Sequence, residues 1–446
     1  MHEIFIYFTA IFIAFLINIP CGYIREKYPK FSFKWFFWIH ASIPLLIYIR
    51  VTEHLNPWII PFSILTAITG QIIGSRWKQK RMSVQEREKI DQIDHLNIIK
   101  PHNIEDSKVL VALLNMGGPR TNDDVKDFQK HLFSDPLLIR FPLSFLFQKI
   151  FAWILIKVRL KAVKTLYQEI GGGSPIYKST TAQAQALRQE LKRRGRDIDV
   201  TFSFNYSPPF AQDTIEKAQR NRKKTLLALS LYPHFSKATT GSNLFYLKKA
   251  ALKYPDINII NASSYYLHEG YIQAFIERIN EALRVDESLD DFSLLFSAHG
   301  LPLYFLTEGD PYPFQIAETV AGILQKLNRT DRWVISYQSA VGPLQWLKPA
   351  TDQMLKALAR RGIIKIIVIP VSFVGDHIET ISEINVEYRE LAHHLGIHDF
   401  RMSKAIECHP GFIQALADTV EKSLISNETL KKNFLKNKIS TKLQKV

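Results

Sequence analysis

Three long stretches near the start of the chain carry apolar side chains and no charge. They run from Ile4 to Ile19, from Trp35 to Ile49 and from Pro57 to Gly74. Such stretches constrain the fold strongly, because within hydrocarbon a single segment can satisfy its own backbone amides only as a helix. Each approaches the roughly 17–25 residues that a helix needs to cross a bilayer. We therefore predict that residues 1–81 form a membrane anchor of about three transmembrane helices.

A secretory signal peptide is the alternative interpretation of the first stretch. Its basic flank, however, follows the apolar residues, and no small-residue cleavage site comes after it. The basic residues also predict an orientation, because loops rich in Lys and Arg stay in the cytoplasm. They cluster between the first two stretches and after the third. This places the N-terminus outside and the chain from Arg76 onward in the cytoplasm.

The positive charge of the chain lies mainly at its two ends. The sequence holds 57 Lys and Arg against 42 Asp and Glu, a net charge of +15. Eleven of these surplus charges fall in residues 1–81 and in a Lys-rich tail at 426–446, which leaves four for residues 82–425. A near-neutral body without a nucleic-acid motif argues against nucleic-acid binding. The basic ends suit an anionic membrane surface instead.

Short apolar runs recur between residues 108 and 371 and alternate with amphipathic stretches of helical length, such as Thr180–Arg194 and Pro349–Arg361. This alternation predicts an α/β fold with parallel sheets covered on both faces. A polar linker at 82–107 precedes two lobes, expected at 108–285 and 286–425. The predicted strands are Lys108–Asn115, Val200–Phe204, Leu226–Leu231, Ile257–Ile260, Leu294–Ser297, Trp333–Tyr337 and Ile364–Val371.

In parallel sheets, functional residues sit on the loops at the carboxyl ends of the strands. Glycine-rich turns occur at Gly117–Gly118 and Gly171–Gly173. Neither matches a nucleotide-binding pattern, so tight turns are favoured over phosphate binding. His299 directly follows an apolar strand, where a hydrogen-bonded structural histidine is the alternative to a functional one.

A row of three glutamates follows the last predicted strand. Glu379, Glu383 and Glu387 are spaced four residues apart, so on a helix they share one face. Like charges at this spacing repel each other, and a solvated face would normally contain lysines among them. The alternatives are an exposed acidic face and an oxygen-rich path for a divalent cation.

Eight blocks of sequence follow one another between residues 114 and 392. They are LNMGGP at 114–119, DV..F...LF.DP at 124–136, YQEIGGGSPI at 167–176, LYPHFSKATTGS at 231–242, FSAHGLP at 296–302, GDPYP at 309–313, YQSAVGPLQWLKP at 337–349 and PVSFVGDHIETISEINVEYRELA at 370–392. Together they resemble the ferrochelatase family, in its order and spacing. The resemblance covers residues 108 to about 420 and leaves the anchor and the tail outside.

The resemblance implies two Rossmann-like lobes with a chelatase-like fold. It further implies an enzyme that inserts Fe²⁺ into protoporphyrin IX to give protoheme, the last step of haem synthesis. His299 and Glu379 match the family's catalytic pair, with His299 as the favoured proton acceptor. The implied metal-binding residues are His299, Glu379, Asp376, His377 and Glu383. The implied substrate-binding residues are Met116, Arg159, Ser174, Tyr232 and Trp346.

The stretch Phe141–Ile156 carries one charge, Lys149, and basic residues follow it. The resemblance places it at an apolar lip over the porphyrin pocket. Such a lip suits a poorly soluble porphyrin that arrives from the bilayer. A buried helix is the alternative. Arg159, among the basic residues, is the expected partner of a porphyrin propionate.

The chain departs from the family pattern at several positions. Asn205 stands where many relatives carry arginine, which puts one polar contact of the pocket in question. Lys237 stands where cluster-containing relatives have an internal cysteine. The two cysteines of the chain, Cys21 and Cys408, are far apart and show no metal-ligand spacing. We therefore expect no [2Fe–2S] cluster and no tightly bound cofactor, with Fe²⁺ as a substrate.

Two alternatives to a protoporphyrin ferrochelatase stay open. One is a chelatase that uses coproporphyrin III or cobalt, and the other is a porphyrin- or haem-binding membrane protein without catalytic activity. The expected partners are protoporphyrin IX, Fe²⁺ and the lipid bilayer, with an upstream porphyrin-producing enzyme as a further candidate. The expected location is the cytoplasmic face of a bacterial inner membrane.

Overall fold

A computed structural model describes residues 2–25, 28, 32–53, 55–56, 58–96, 105–139, 144–340, 342 and 344–425. Within helices it gives the backbone alone for residues 2–5, 78–96 and 144–147. The chain divides into two compact units, one of Met1–Ile93 with Arg140–Ile150 and one of Asp94–Ile139 with Phe151–Val446. The predicted tail at 426–446 and part of the predicted linker lie outside the described residues.

Apolar helices form the first unit. They are α1 (His2–Arg25), α2 (Phe33–His40), α3 (Ile43–Thr52) and α4 (Ile59–Leu96). By length and composition, Ile6–Arg25, Phe33–Thr52 and Ile59–Trp77 could each cross a membrane, in agreement with the three predicted spans. The second span is broken between α2 and α3, where Pro44 in the first turn of α3 cannot donate a backbone hydrogen bond. Helix α4 continues into the polar stretch that the sequence assigns to the linker.

Polar side chains hold these apolar helices together. The Gln71 side-chain amide donates to Asn18 Oδ1 at 3.1 Å and to the carbonyl of Ile39 at 2.8 Å. Ser42 donates to the same Asn18 oxygen at 3.0 Å. The backbones of α1 and α4 also touch, since a Cβ on Gly74 would lie 1.8 Å from the carbonyl oxygen of Ile19. Small residues and interhelical hydrogen bonds are the means by which helices associate in lipid.

Eight strands form two parallel sheets in the described part of the second unit. They are β1 (Val109–Asn115), β2 (Asp199–Phe204), β3 (Thr225–Ser230), β4 (Asn258–Asn261), β5 (Ser293–His299), β6 (Trp333–Gln338), β7 (Lys365–Pro370) and β8 (Asp399–Met402). The strand orders are β2-β1-β3-β4 and β6-β5-β7-β8. The predicted α/β fold with two parallel-sheet lobes is confirmed. The sequence missed β8, because this short edge strand alternates charged and apolar residues and forms no apolar run.

Helices surround both sheets. Helix α7 begins at Ile176, about one turn before the predicted start at Ser179 and Thr180. Two segments, Lys237–Gly241 and Glu379–Tyr388, form π-helices. The α-helices of this unit are α5 (Val125–Phe133), α6 (Ser144–Glu169), α7 (Ile176–Arg193), α8 (Ala211–Arg220), α9 (Ser242–Ala251), α10 (Glu269–Asn280), α11 (Leu303–Thr307), α12 (Tyr312–Lys326), α13 (Thr351–Arg360), α14 (Arg389–His394) and α15 (residues 410–425).

One apolar core extends through both lobes. It includes Leu113 of β1, Leu187 of α7, Phe296 of β5 and Phe412 of α15, each with no exposed surface. Helix α15, which the sequence assigns to the second lobe, packs on α10 of the first lobe. A Cβ on Gly411 would lie 2.5 Å from the carbonyl oxygen of Gly270 in α10. The two lobes are therefore joined by apolar packing.

An ion cluster fastens the end of α7 to α15. The Arg194 guanidinium donates to Glu190 at 2.7 Å and to Glu421 at 2.9 Å, and it also pairs with Asp418. Hydrogen bonds from Arg193 and Arg194 lower the pKa of Glu190 to about 2. The bond from Arg193 has the largest effect and outweighs burial, which by itself would raise this pKa. Because this pKa lies below the ordinary carboxyl value, the pairing stabilises the fold at neutral pH. The stabilisation is lost as the pH falls from that ordinary value through about 2.

We expect Arg194→Met to lower the free energy of unfolding at pH 7 by about 1–2 kcal/mol, since it removes hydrogen bonds to partly exposed carboxylates. The matched control is Arg188→Met on α7, which breaks the ion pair with Asp199. Because the Arg188 side chain is 60% exposed, this substitution should lower the free energy of unfolding by less. Thermal unfolding of the detergent-solubilised full chain measures both. The difference between wild type and Arg194→Met should shrink below pH 3, and a constant difference would contradict the role of the ion pairs.

Candidate active site

A cleft with an empty volume of about 420 Å³ lies at the carboxyl ends of strands from both sheets. One wall comes from the ends of β1 and β3 and from the first turns of α7. The other wall is the turn that follows β7. The lining residues are Asn115, Met116, Ile176, Ser179, Thr180, Gln183, Leu231, Tyr232, Ser372, Phe373, Val374, Gly375 and His377. Of the predicted site residues, Met116, Tyr232 and His377 therefore meet in one cleft.

His299 is the last residue of β5 and is held in one orientation. Its backbone N–H donates to Ser372 Oγ at 3.0 Å, and the Tyr312 hydroxyl donates to its carbonyl at 3.0 Å. The ring Nδ1 lies 2.7 Å from the carbonyl oxygen of Gly300. A carbonyl oxygen can only accept, so this contact places the ring proton on Nδ1. In the neutral ring the lone pair then sits on Nε2, which can accept a proton.

The carboxylate of Glu379 interacts electrostatically with this histidine. It opens the π-helix Glu379–Tyr388, and its Oε2 pairs with His377 Nδ1. Burial opposes its ionisation, but the charges of His377 and His299 and the hydrogen bond from His377 outweigh burial. They lower the pKa of Glu379 to about 2. The carboxylate therefore stays ionised at neutral pH.

The negative charge of Glu379 acts on two tyrosines. Burial and the negative charge of Glu379 both raise the pKa of Tyr167 and of Tyr232. Both phenols therefore stay neutral and keep a proton to donate. Tyr232 was among the predicted binding residues, and Tyr167 was missed. The available signal was its place in the block YQEIGGGSPI, although an aromatic residue in such a position usually belongs to the core.

The glutamate row lies on a helix, as predicted, but the helix is a π-helix. The backbone N–H of Ser339 donates to Glu383 Oε1 at 2.8 Å, and the Tyr388 hydroxyl donates to the same atom at 2.9 Å. Glu379 is 25% exposed, whereas Glu387 at the far end is open to solvent. The row therefore leads from the half-buried site to the surface. Departures from α-helical winding of this kind are frequent at functional sites.

An aromatic ring that the sequence analysis missed contacts both histidines. The Phe373 ring centroid lies 4.1 Å from that of His377 and 6.2 Å from that of His299. Its position two residues before Gly375-Asp376-His377 was visible in the sequence. The apolar strand that precedes it, however, made a core role the simpler interpretation.

The other predicted residues have varied surroundings. Thr380 donates to Asp376 Oδ1 at 2.9 Å. The Ser174 backbone N–H donates to the carbonyl of Pro119 at 2.7 Å, so this serine joins two turns. Trp346 packs against Gly300, whose Cβ would lie 3.2 Å from the indole. Arg159 is exposed on α6 and is not among the lining residues of the cleft.

Asn205, the departure from the family pattern, belongs to a hydrogen-bonded group behind Met116. Its side-chain amide donates to Ser242 at 3.0 Å, and it accepts from Asn243 at 2.9 Å. Asn243 in turn donates to the carbonyl of Asn115 at 3.0 Å. In this chain the position therefore supports the end of β1.

The part of α6 that the sequence places at the lip has an apolar and exposed face. Trp153 is 61% exposed and Val158 is 76% exposed, and Ile150 and Ile154 are about half exposed. Lys157 lies over the Trp153 ring at 5.1 Å. This exposure disfavours the alternative of a buried helix. The side chains of residues 141–147 lie outside the described residues.

The glycine turns are tight turns, as the sequence indicated. Gly171 and Gly172 have φ values of 106° and 91°, which side chains rarely allow. A Cβ on Gly173 would lie 2.1 Å from the backbone oxygen of Arg120. The turn before α7 is thus packed directly on the turn after β1.

Among the described residues, no group of three or more His, Cys, Asp or Glu side chains is arranged to hold a metal ion. Glu383 and Asp376 are engaged by hydroxyl and amide donors of the protein, as described above.

The ferrochelatase family model matches residues 108–424. The chain belongs to the ferrochelatase family. The curated ferrochelatase of Synechocystis sp. is 42% identical over 71% of this chain and 83% of its own length. That of Gloeobacter violaceus is 40% identical over 71% of this chain and 98% of its own length.

Among solved structures, "SirB from Bacillus subtilis with Fe3+" shows a TM-score of 0.42 at 15% identity, over 56% of this chain and 92% of that one. The ferrochelatase match begins after α4, so the apolar helices are additional to the family domain.

We expect Gly173→Ala to lower the melting temperature more than Gly172→Ala. The first substitution drives a methyl group into the Arg120 backbone and separates two turns of the cleft wall. The second places a methyl group in open space and adds only the cost of a left-handed conformation, about 1–2 kcal/mol. Thermal unfolding of both full-length variants checks this order. Equal losses would show that the contact between the two turns contributes nothing to stability.

Proposed function

We propose that this chain inserts Fe²⁺ into protoporphyrin IX to form protoheme, the last step of haem synthesis, with His299 and Glu379 as the catalytic residues. The reaction replaces the two pyrrole N–H protons with one ferrous ion, so two protons must leave the macrocycle. Two observations carry the assignment of residues. The contact of His299 Nδ1 with the Gly300 carbonyl leaves the Nε2 lone pair available, and the ionised carboxylate of Glu379 interacts electrostatically with His299.

His299 and Glu379 have complementary parts in this reaction. His299 Nε2 accepts a pyrrole proton as a general base. The positive charge that His299 then carries is stabilised by the ionised carboxylate of Glu379, since the two groups interact electrostatically. Burial and the negative charge of Glu379 keep the hydroxyls of Tyr167 and Tyr232 protonated.

Iron reaches the site along the glutamate row. Hard oxygen ligands suit a divalent cation that sheds its water molecules stepwise. Glu387 is exposed and Glu379 is half-buried, so the row provides successive carboxylates from solvent inward. Asp376, His377 and Glu383 lie around this row and are the proposed secondary metal contacts. Fe²⁺ is a substrate of the reaction and remains in the product.

The porphyrin lies against the apolar part of the cleft, which includes Met116, Ile176 and Phe373. Ser174, Trp346 and Tyr232 are the further proposed contacts. Arg159 is proposed to meet a propionate or a lipid phosphate, because it is exposed beside the apolar face of α6. That exposed face, with Trp153 and Val158, suits contact with a lipid surface.

Coproporphyrin III is the second candidate substrate and is more polar than protoporphyrin IX. The exposed apolar face on α6 and the methionine in the cleft favour the less polar porphyrin. A porphyrin carrier without catalytic activity is disfavoured, because a carrier has no use for a carboxylate row that leads to the site.

The enzyme is proposed to sit on the cytoplasmic face of the inner membrane, with an upstream porphyrin-producing enzyme as a candidate partner. Reporter fusions after Ser32, Asn56 and Lys80 test the placement. The distribution of basic residues predicts inside, outside and inside signals respectively. An outside signal after Lys80 would contradict the proposed orientation.

The catalytic assignment is tested by the iron-dependent loss of protoporphyrin fluorescence with the purified full chain. We expect His299→Ala and Glu379→Ala to lower turnover by at least about a hundredfold, the usual size of a lost general base. His394→Ala, at an exposed position on α14, is the control and should retain activity. Unfolding curves verify that each variant is folded.

Retained turnover in both active-site variants would contradict the assigned roles. Competition between protoporphyrin IX and coproporphyrin III should favour the former. Tight porphyrin binding by the wild type without iron insertion would instead identify a carrier.

A further inference from the structure

Glu407 lies behind the cleft in a backbone conformation that few side chains adopt. It follows β8, and its φ angle is 50°. Left-handed conformations are unfavourable for residues with a Cβ atom and persist where surrounding contacts enforce them. Glu407 is neither a lining residue of the cleft nor a predicted site residue, so its unusual conformation needs another explanation.

The Glu407 carboxylate receives hydrogen bonds from both walls of the cleft. Ser179 Oγ, on α7 of the first lobe, donates to Glu407 Oε1 at 3.0 Å. The backbone N–H of Asp376, on the turn after β7 of the second lobe, donates to the same oxygen at 2.9 Å. One carboxylate oxygen therefore connects the two walls.

The backbone of Glu407 also links the turn after β7 to α7. Its N–H donates to the carbonyl of Val374 at 2.9 Å. Gln183, on α7, donates to that same carbonyl at 3.1 Å and to the carbonyl of Glu407 at 3.3 Å. The approach is close at Gly375, where a Cβ would lie 3.2 Å from Glu407 Oε1 and would displace the carboxylate by a few tenths of an ångström.

The turn held in this way carries the residues of the iron side. Asp376 is hydrogen-bonded through its own N–H, and His377 follows it and pairs with Glu379. The wall on the other side, with Ser179 and Gln183, belongs to the surface proposed to receive the porphyrin. A shift of the turn relative to α7 would therefore move His377 and Glu379 relative to the macrocycle.

We infer that Glu407 is a positioning residue that sets the distance between the porphyrin side and the iron side of the cleft. This inference rests on the proposed function. Glu407 touches neither substrate in this assignment and acts through the turn at 374–377. Displacements of about 1 Å in such supports are sufficient to lower turnover by a large factor.

Four variants of the full chain separate this role from general stability. Glu407→Ala removes the acceptor, whereas Glu407→Gln retains an oxygen that can accept from Ser179 and from Asp376. Glu407→Gly also removes the acceptor but relieves the backbone, so it keeps the role testable if the Ala variant is unstable. Lys404→Ala, at a side chain that is 73% exposed in the same segment, is the control.

The readouts are kcat, the KM for Fe²⁺ and the binding of protoporphyrin IX followed by its fluorescence. We expect Glu407→Ala and Glu407→Gly to lower kcat/KM for Fe²⁺ by about ten- to a hundredfold. Protoporphyrin affinity should change by no more than about twofold, because the lining side chains remain. Glu407→Gln should recover most of the loss, and Lys404→Ala should behave as the wild type.

A double-mutant cycle with Ser179→Ala provides the sharpest test. If the shared hydrogen bond is the operating contact, the double variant should lose little more than Glu407→Ala alone. Additive losses, or wild-type kinetics in Glu407→Ala, would overturn the inference. Failure of the wild type to metallate any porphyrin would overturn the proposed function instead, so the two failures can be told apart.

Discussion

The geometry of the cleft depends on the apolar core that both lobes share. Each parallel sheet places its carboxyl-end loops at one edge, but neither sheet alone determines how far apart the two sets of loops lie. Helix α15 packs back onto the first lobe and so fixes the position of one lobe relative to the other. Phe412 and its neighbours are buried between elements of both lobes. The turn after β7, with Phe373 and His377, then meets Met116 and Tyr232 of the first lobe in one cleft.

Near the cleft, the free-energy cost of burying a charged side chain is offset by neighbouring groups of opposite charge and by hydrogen bonds. Glu379 illustrates this, since burial alone would favour its neutral form and the two nearby histidines reverse that preference. Burial, together with the retained charge of Glu379, raises the pKa of Tyr167 and of Tyr232 and keeps both protonated. A near-neutral protein can thus contain a strongly polarised site, because the local environment of each group decides its charge state.

The anchor unit obeys different physical rules. Where helices are surrounded by lipid, apolar surface provides no drive for them to associate, and close backbone contact with a few hydrogen bonds has to hold them. Gly74 allows that contact, and Gln71 donates to Asn18 and to the carbonyl of Ile39, which lies at the break in the second span. The same chain thus uses apolar burial in one unit and polar contacts in the other.

The sequence by itself determined the features that depend on local pattern. The uncharged stretches predicted the three spans, and the alternation of strands and helices predicted the α/β lobes. The motif blocks singled out His299, Asp376 and Glu379 at or after the ends of strands. The roles of these residues remain predictions. The tertiary structure alone decided that the glutamate row winds as a π-helix, that Phe373 contacts two histidines, that α15 packs on the first lobe and that Glu407 meets Ser179. These features arise from contacts between residues far apart in the chain, and periodicity or spacing contains no information about which distant segments will pack together.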